Sequence, residues 1–99
     1  MLNISKAKDG SALTVTLDGR LDTSTAPELE ESLKDDLSGV DALTFDLKDM
    51  AYISSAGLRV LLSTQKIMNK QGSMVIKNAS EQVREIFDVT GFSDILTIE

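Results

Sequence analysis

Two adjacent serines, Ser54 and Ser55, stand where a predicted strand gives way to a predicted helix. The start of a helix presents backbone N–H groups without intrahelical partners and carries a partial positive charge, so it favours anions such as phosphate. Phosphorylation of a serine adds about −1.5 to −2 charges at neutral pH. The pattern therefore indicates a modifiable hydroxyl at a place that suits the added charge. Because serine is also a favoured N-cap residue, a purely structural role for the pair is the alternative.

The elements on either side of the serines can be predicted from their hydrophobic patterns. Leu43, Phe45 and Leu47 alternate with polar residues, as in a strand with one buried face, and a short loop is expected between this strand and the serines. The apolar residues after the pair predict a largely buried helix that ends near residue 71. Gly57 falls in its first turn, where glycine costs about 1 kcal/mol relative to alanine. This glycine indicates the close approach of a neighbouring backbone or of a partner.

A second polar pair, Asp22 and Thr23, follows another alternating strand built on Leu13, Val15 and Leu17. If the two strands are parallel neighbours, their carboxyl ends lie together, which is where sites tend to form in α/β sheets. Asp22 and Thr23 are then expected near the serine pair. The simpler alternative is that Asp22 is a turn residue whose carboxylate accepts hydrogen bonds from its own backbone.

Helix boundaries are indicated by capping residues and by glycine. Thr25 with Glu28, and Asn78 with Glu81, have the spacing of capping boxes, so each pair predicts a helix start. Gly91 predicts the end of the last helix.

The whole chain reads as one α/β domain over residues 1–99, with α+β-like character and the order β-β-α-β-α-β-α-β. Leu2 and Ile4 predict a short first strand, joined to the second through a turn at Asp9-Gly10, and residues 95–98 predict a final strand. Strands with one polar face argue against helices on both sides of the sheet. We therefore expect a mixed sheet of four to five strands with three helices mainly on one face.

Composition excludes several classes of function. The chain has no Cys and no His, so it lacks a thiol nucleophile, a Ser-His-Asp triad and any metal site built on thiolate or histidine ligands. It also lacks a Gly-rich phosphate-binding loop, and we expect no enzyme activity, no cofactor and no metal. A net charge of −6 without a basic cluster argues against nucleic-acid binding. We found neither a secretory signal nor a membrane-spanning segment, so we expect a cytoplasmic protein that is a monomer or a weak dimer and does not insert into membranes.

Three stretches together resemble the STAS domain, and in particular the stand-alone anti-sigma factor antagonists of bacteria. They are Gly19-Arg20-Leu21-Asp22, Tyr52-Ile53-Ser54-Ser55-Ala56-Gly57-Leu58 and Val89-Thr90-Gly91-Phe92. The resemblance covers essentially the whole chain. It implies a protein that binds an anti-sigma factor with serine kinase activity and so releases a sigma factor. The kinase phosphorylates the antagonist and switches it off, and a serine phosphatase restores it.

Aligned on Gly57-Leu58, the resemblance implies that Ser55 is the phosphate acceptor. Ser54 stands where the family has Asp and is the alternative acceptor, and Ala56 takes the place of the small residue after the acceptor. The resemblance also implies an acidic position at Asp22 that the kinase needs. The implied partner surface consists of Asp22, Thr23, Ser54, Ser55, Ala56, Gly57 and Arg59.

Two alternatives remain open from the sequence. Arg59 stands where many antagonists have Gly, and it either pairs with a phosphate on Ser55 or reshapes the partner surface. STAS-like domains also serve as soluble regulatory subunits of ABC lipid-transport complexes or of other transporters, which is the alternative function.

Overall fold

The structure, a computed structural model, describes residues 2–99 and confirms the α/β class with a mixed four-stranded sheet and three α-helices. Its elements are, in chain order, β1 (Leu2–Asp9), β2 (Ala12–Leu21), α1 (Ala26–Leu33), β3 (Ala42–Ile53), α2 (Ser55–Gln71), β4 (Ser73–Lys77), α3 (Glu81–Thr90) and a short 3-10 turn at Phe92–Asp94.

The spatial order of the strands follows the chain, β1-β2-β3-β4. β1 and β2 form an antiparallel hairpin that closes through Gly10, whose φ of 62° lies in the left-handed region that glycine adopts easily. β2, β3 and β4 are parallel neighbours, with α1 and α2 as the crossovers between them. The predicted parallel pairing of the second and third strands is therefore confirmed, and their carboxyl ends lie side by side.

β3 is longer than the sequence pattern indicated. Its 12 residues pair with the 10 residues of β2, and the difference is absorbed at two irregularities in the register. Such bulges place extra residues in one strand and break the strict alternation of buried and exposed side chains. The predicted short loop before the serines is therefore wrong: β3 continues to Ile53, and Ser54 alone separates it from α2. β2 likewise continues past the irregularities and ends at Leu21.

One hydrophobic core lies between the sheet and the helices. Along β2 and β3 the inward residues are buried and alternate with partly exposed polar ones. Buried residues of all three helices join the same cluster, which confirms that the helices cover one face of the sheet; they include Leu29, Leu33, Leu61, Met68, Val83 and Phe87. Leu37 lies past the end of α1 but remains buried, 5% exposed.

The predicted final strand is wrong. Ile98 forms a single parallel bridge with Ile76 of β4, and the preceding residues form the 3-10 turn and further turns. The apolar residues Leu96 and Ile98 still contribute to the core, and this burial explains the hydrophobic pattern without a strand.

Of the two predicted capping boxes, the one at Asn78 and Glu81 is wrong in its first residue. The N-cap of α3 is Ser80, whose hydroxyl accepts a hydrogen bond from the Val83 N–H at 3.2 Å, whereas Asn78 has a φ of 60° two residues earlier. Thr25 is the N-cap of α1, so the predicted helix start is confirmed, but its side chain makes no cap hydrogen bond. Gly91 does end α3 in the left-handed conformation, with a φ of 81°.

None of the helices within residues 2–99 has both the length and the hydropathy that a membrane crossing requires.

Candidate functional site

The serine pair is fixed to the ends of two neighbouring strands. Leu21 at the end of β2 is the register partner of Ile53 at the end of β3. One residue further, the Ser54 N–H donates to the carbonyl oxygen of Leu21 over 2.8 Å. This bond continues the sheet pairing past the end of β3, and it sets the point at which the chain leaves the sheet and begins α2.

Ser54 and Ser55 differ in their surroundings. Ser54 is the N-cap of α2: its backbone is extended, its side chain is half-buried, and its Oγ accepts a hydrogen bond from the Gly57 N–H at 3.4 Å. Ser55 is the first helical residue, and its side chain is exposed. The capping role suggested for the pair therefore belongs to Ser54, and Ser55 is exposed.

Gly57 is buried at the point where α2 meets the strand ends. A Cβ at this position would lie 2.7 Å from Leu21 Cγ and 2.9 Å from Ile53 Cγ1, closer than carbon atoms approach one another. The glycine thus lets the helix pack directly on the last residues of β2 and β3. The sequence predicted the close approach of a neighbouring backbone or of a partner, whereas the structure shows that side chains of the core make the approach.

The carboxylate of Asp22 is engaged in its own turn. Its Oδ1 accepts hydrogen bonds from the Ser24 hydroxyl (2.8 Å), the Ser24 N–H (3.0 Å) and the Thr25 N–H (3.1 Å). These bonds stabilise the charged form and hold the pKa of Asp22 below its ordinary value, with the Ser24 hydroxyl as the largest cause. The turn-residue interpretation of Asp22 therefore matches the observed contacts, which lie within the turn that precedes α1.

Thr25 is buried, and its hydroxyl stabilises this turn through two hydrogen bonds. Its hydroxyl donates to the carbonyl oxygen of Arg20 and accepts from the Asp22 N–H, both at 2.8 Å. Thr23, by contrast, is exposed at the tip of the turn.

Arg20 and Tyr52 form a pair beside the serines that sequence reasoning did not identify. They are register partners on β2 and β3, and the Arg20 guanidinium carbon lies 4.5 Å from the centroid of the Tyr52 ring. Arg20 Nε is also 3.8 Å from Asp22 Oδ2. The residues occur in the motifs Gly19–Asp22 and Tyr52–Leu58, but their contact depends on the register past the bulges, which the sequence pattern does not give.

The predicted site residues fall into two adjoining groups. Ser54, Ser55, Ala56 and Arg59 occupy the first turns of α2, with Ser55 and Arg59 exposed and Ala56 half-buried. Asp22 and Thr23 lie in the turn after β2, next to the Leu21–Ser54 hydrogen bond. The hydrogen bonds of Asp22 are made with its own turn and those of Ser54 with its own helix, so the groups share a surface without a direct polar contact between their side chains in the part of the chain described.

A search of residues 2–99 for clusters of three or more His, Cys, Asp or Glu residues that could hold a metal ion found none.

Comparison with known proteins gives a family for this arrangement. The family model described as the STAS domain matches residues 3–99. The chain is also 35% identical to the anti-sigma-B factor antagonist of Bacillus subtilis (strain 168) over 98 residues, which cover 98% of the chain and 90% of that relative.

Solved structures give the same fold. An anti-sigma factor antagonist from Mycobacterium paratuberculosis aligns with a TM-score of 0.89 at 21% identity, covering 99% of the chain and 85% of that protein. The Bacillus cell fate determinant SpoIIAA in its phosphorylated form aligns with a TM-score of 0.76 at 14% identity, covering 98% of the chain and 91% of that protein.

Proposed function

The chain belongs to the STAS domain family, and from this premise we propose that it is an anti-sigma factor antagonist switched off by phosphorylation of Ser55. In the unmodified state it binds an anti-sigma factor that has serine kinase activity, and the bound sigma factor is released. The kinase then phosphorylates Ser55 and the complex dissociates, and a serine phosphatase restores the antagonist.

The choice of Ser55 as the phosphate acceptor rests on the difference in exposure and hydrogen bonding between the two serines. Ser55 is exposed at the first position of α2, whereas Ser54 is half-buried and its Oγ accepts the Gly57 N–H. A kinase needs the acceptor oxygen to be accessible, and transfer to Ser54 would disrupt the cap of the helix. Ser55 is the better acceptor on both grounds.

The local geometry supports a switch that leaves the fold intact. Within residues 2–99, the Ser54 N–H donates to the Leu21 carbonyl oxygen and the Gly57 N–H donates to Ser54 Oγ. This leaves the N–H groups of Ser55 and Ala56 as the unpaired donors of this helix start. They and the partial charge of the helix end favour an anion attached to Ser55. A solved phosphorylated form of SpoIIAA has this same fold, which is consistent with such tolerance.

The loss of affinity follows from electrostatics at the interface. The proposed partner surface comprises the exposed or half-buried residues around Ser55, namely Asp22, Thr23, Ser54, Ala56 and Arg59, with Gly57 buried beneath them. A dianion at the centre of this surface would have to be desolvated when the partner binds. Without a matching cation on the partner, that cost weakens the complex.

The test is a binding and modification assay with the ATP-binding anti-sigma factors encoded in the same genome. Each candidate is incubated with the protein and ATP, and binding is followed together with the intact mass. We expect one candidate to bind and to add the mass of one phosphate. Ser55→Ala should bind without gaining mass, and Ser55→Glu should bind about tenfold or more weakly.

Two further variants identify the acceptor. Ser54→Ala removes the cap and Ser63→Ala removes another exposed hydroxyl of α2, and both should still be phosphorylated. Phosphate mapped to Ser54 would refute the choice of acceptor. Absence of both binding and modification with every candidate would contradict the proposed function.

A further inference from the structure

Arg59 is placed to reach a phosphate on Ser55. Both residues lie on α2, which is continuous over Ser55–Gln71, and they are four positions apart. Residues at i and i+4 of a helix are neighbours on one face, with an axial separation of about 6 Å. Helical side chains also lean toward the N-terminus of the helix, so that a long side chain covers the turn that precedes it. A side chain as long as that of Arg59 can therefore reach back to Ser55.

The guanidinium of Arg59 is available for such a contact. Its side chain is exposed, and the first turn of α2 contains no acidic residue. The positions three and four residues away from Arg59 on the helix are Ser55, Ala56, Leu62 and Ser63, which carry no charge. In the described part of the chain, ion pairs are formed by Lys6, Arg20 and Lys77, and Arg59 takes part in none of them.

Two charged residues at the neighbouring strand end, Arg20 and Asp22, are engaged with each other. On the neighbouring β2 end, Arg20 lies over the Tyr52 ring and 3.8 Å from the Asp22 carboxylate, which in turn accepts hydrogen bonds from its own turn. Arg59 is therefore a cation on the same helix face as Ser55, and it has no carboxylate partner within residues 2–99.

We propose that Arg59 binds the phosphate of phosphorylated Ser55 through an i,i+4 ion pair; this inference rests on the proposed phosphorylation. A guanidinium forms two parallel hydrogen bonds with phosphate oxygens, which a lysine ammonium cannot do. The contact fixes the phosphate against the helix and stabilises its dianionic form. It also withdraws the positive charge of Arg59 from the partner surface, so that one modification both adds negative charge and neutralises a cation.

The experiment uses protein in which phosphoserine is installed at position 55 during translation, so that no kinase is required. The second pKa of the phosphate, ordinarily about 6, is measured by ³¹P NMR as a function of pH. Because a cation stabilises the dianion, this pKa should be about 0.3 to 0.5 of a unit lower with Arg59 than in Arg59→Gln. Arg59→Lys should keep part of the shift, and the shift should shrink in about 1 M salt.

Lys66→Gln is the matched control, since Lys66 is an exposed cation on the same helix that lies about 16 Å from Ser55 along the helix axis. It should leave the phosphate pKa as in the parent protein. Equal pKa values in the parent and in Arg59→Gln would overturn the inference while leaving phosphorylation by a kinase untouched. Conversely, failure of every candidate kinase would contradict the proposed function and would not alter the NMR result.

Discussion

Gly57 lies directly against the side chain of Leu21, at a distance that leaves no room for a methyl group: a Cβ would be 2.7 Å from Leu21 Cγ. The start of α2 is therefore positioned by the core residue at the end of β2. Since Leu21 also accepts the Ser54 N–H through its carbonyl oxygen, one residue of β2 fixes both the backbone before Ser55 and the helix turn after it.

Gly57→Ala should destabilise the protein. In an exposed helix position the substitution would stabilise by about 1 kcal/mol, but here the added methyl overlaps Leu21 Cγ and Ile53 Cγ1. Overpacking of this kind costs about 1–3 kcal/mol, so we expect a net loss of unfolding free energy in urea denaturation. Ser63→Ala, an exposed site on the same helix, should change it by less than about 0.5 kcal/mol. A gain in stability for Gly57→Ala would show that the helix can move away from β2.

Ser54→Ala and Ser55→Ala should have different effects on stability. Ser54→Ala removes the oxygen that accepts the Gly57 N–H, and loss of an N-cap costs about 0.5–2 kcal/mol. The 3.4 Å length of this bond places our expectation near the lower end of that range. Ser55→Ala introduces a better helix former at an exposed site and should be neutral or slightly stabilising. Urea denaturation of the two variants compares them, and a larger loss for Ser55→Ala would contradict the assignment of the cap.

Asp22→Asn should remove a pH-dependent part of the stability. The carboxylate has a lowered pKa because the Ser24 hydroxyl and the Thr25 and Ser24 N–H groups donate to it. The folded pKa is therefore below the unfolded value of about 3.9, so the contribution is complete above that value and is lost as the pH falls through the folded pKa. The parent protein should be more stable than Asp22→Asn at pH 7, and the difference should shrink below about pH 4.

Thermal or urea denaturation at pH 7 and at pH 3 measures this difference, with Asp49→Asn on the exposed face of β3 as the control. A difference between Asp22→Asn and the parent that is the same at both pH values would mean that the carboxylate's charge is not what stabilises the turn.

Arg20 and Tyr52 should be energetically coupled. The guanidinium lies 4.5 Å from the ring centroid, and an exposed cation–π contact contributes about 0.5–1 kcal/mol. A double-mutant cycle of Arg20→Gln and Tyr52→Leu, measured by urea denaturation, should give a coupling energy of that size. The cycle of Lys77→Gln with Tyr52→Leu serves as the control and should be additive within about 0.3–0.5 kcal/mol. Additivity in the Arg20 cycle would mean that the stack adds nothing to stability.

The general architecture was predictable because it follows from local patterns. The alternation of Leu13, Val15 and Leu17, and of Leu43 and Phe45, identified two strands with one buried face, and the topology rules made them parallel. The patterns failed where tertiary contacts replace local signals. The bulges of β3 interrupt the alternation before Ile53, and Ile98 is buried by a single bridge.

The candidate site was predictable to a similar extent. The serine pair and Gly57 could be found because a helix start and an unexpected glycine are local signals. The assignment of the N-cap to Ser54 and of the exposed first helical position to Ser55 could not be predicted, because it depends on a one-residue difference in where the helix begins. The same holds for the Arg20–Tyr52 contact, which exists only in the register that the bulges produce.

The hydrogen bond between Ser54 and Leu21 joins two parts of the chain that are far apart in sequence. Short peptides copied from the region around the serines would lack Leu21, and with it both the anchored backbone and the surface against which Gly57 packs. An unfolded or newly synthesised chain would likewise present Ser55 in a flexible segment. A partner that recognises the helical start of α2 would therefore bind the folded protein in preference to an unfolded or newly synthesised chain.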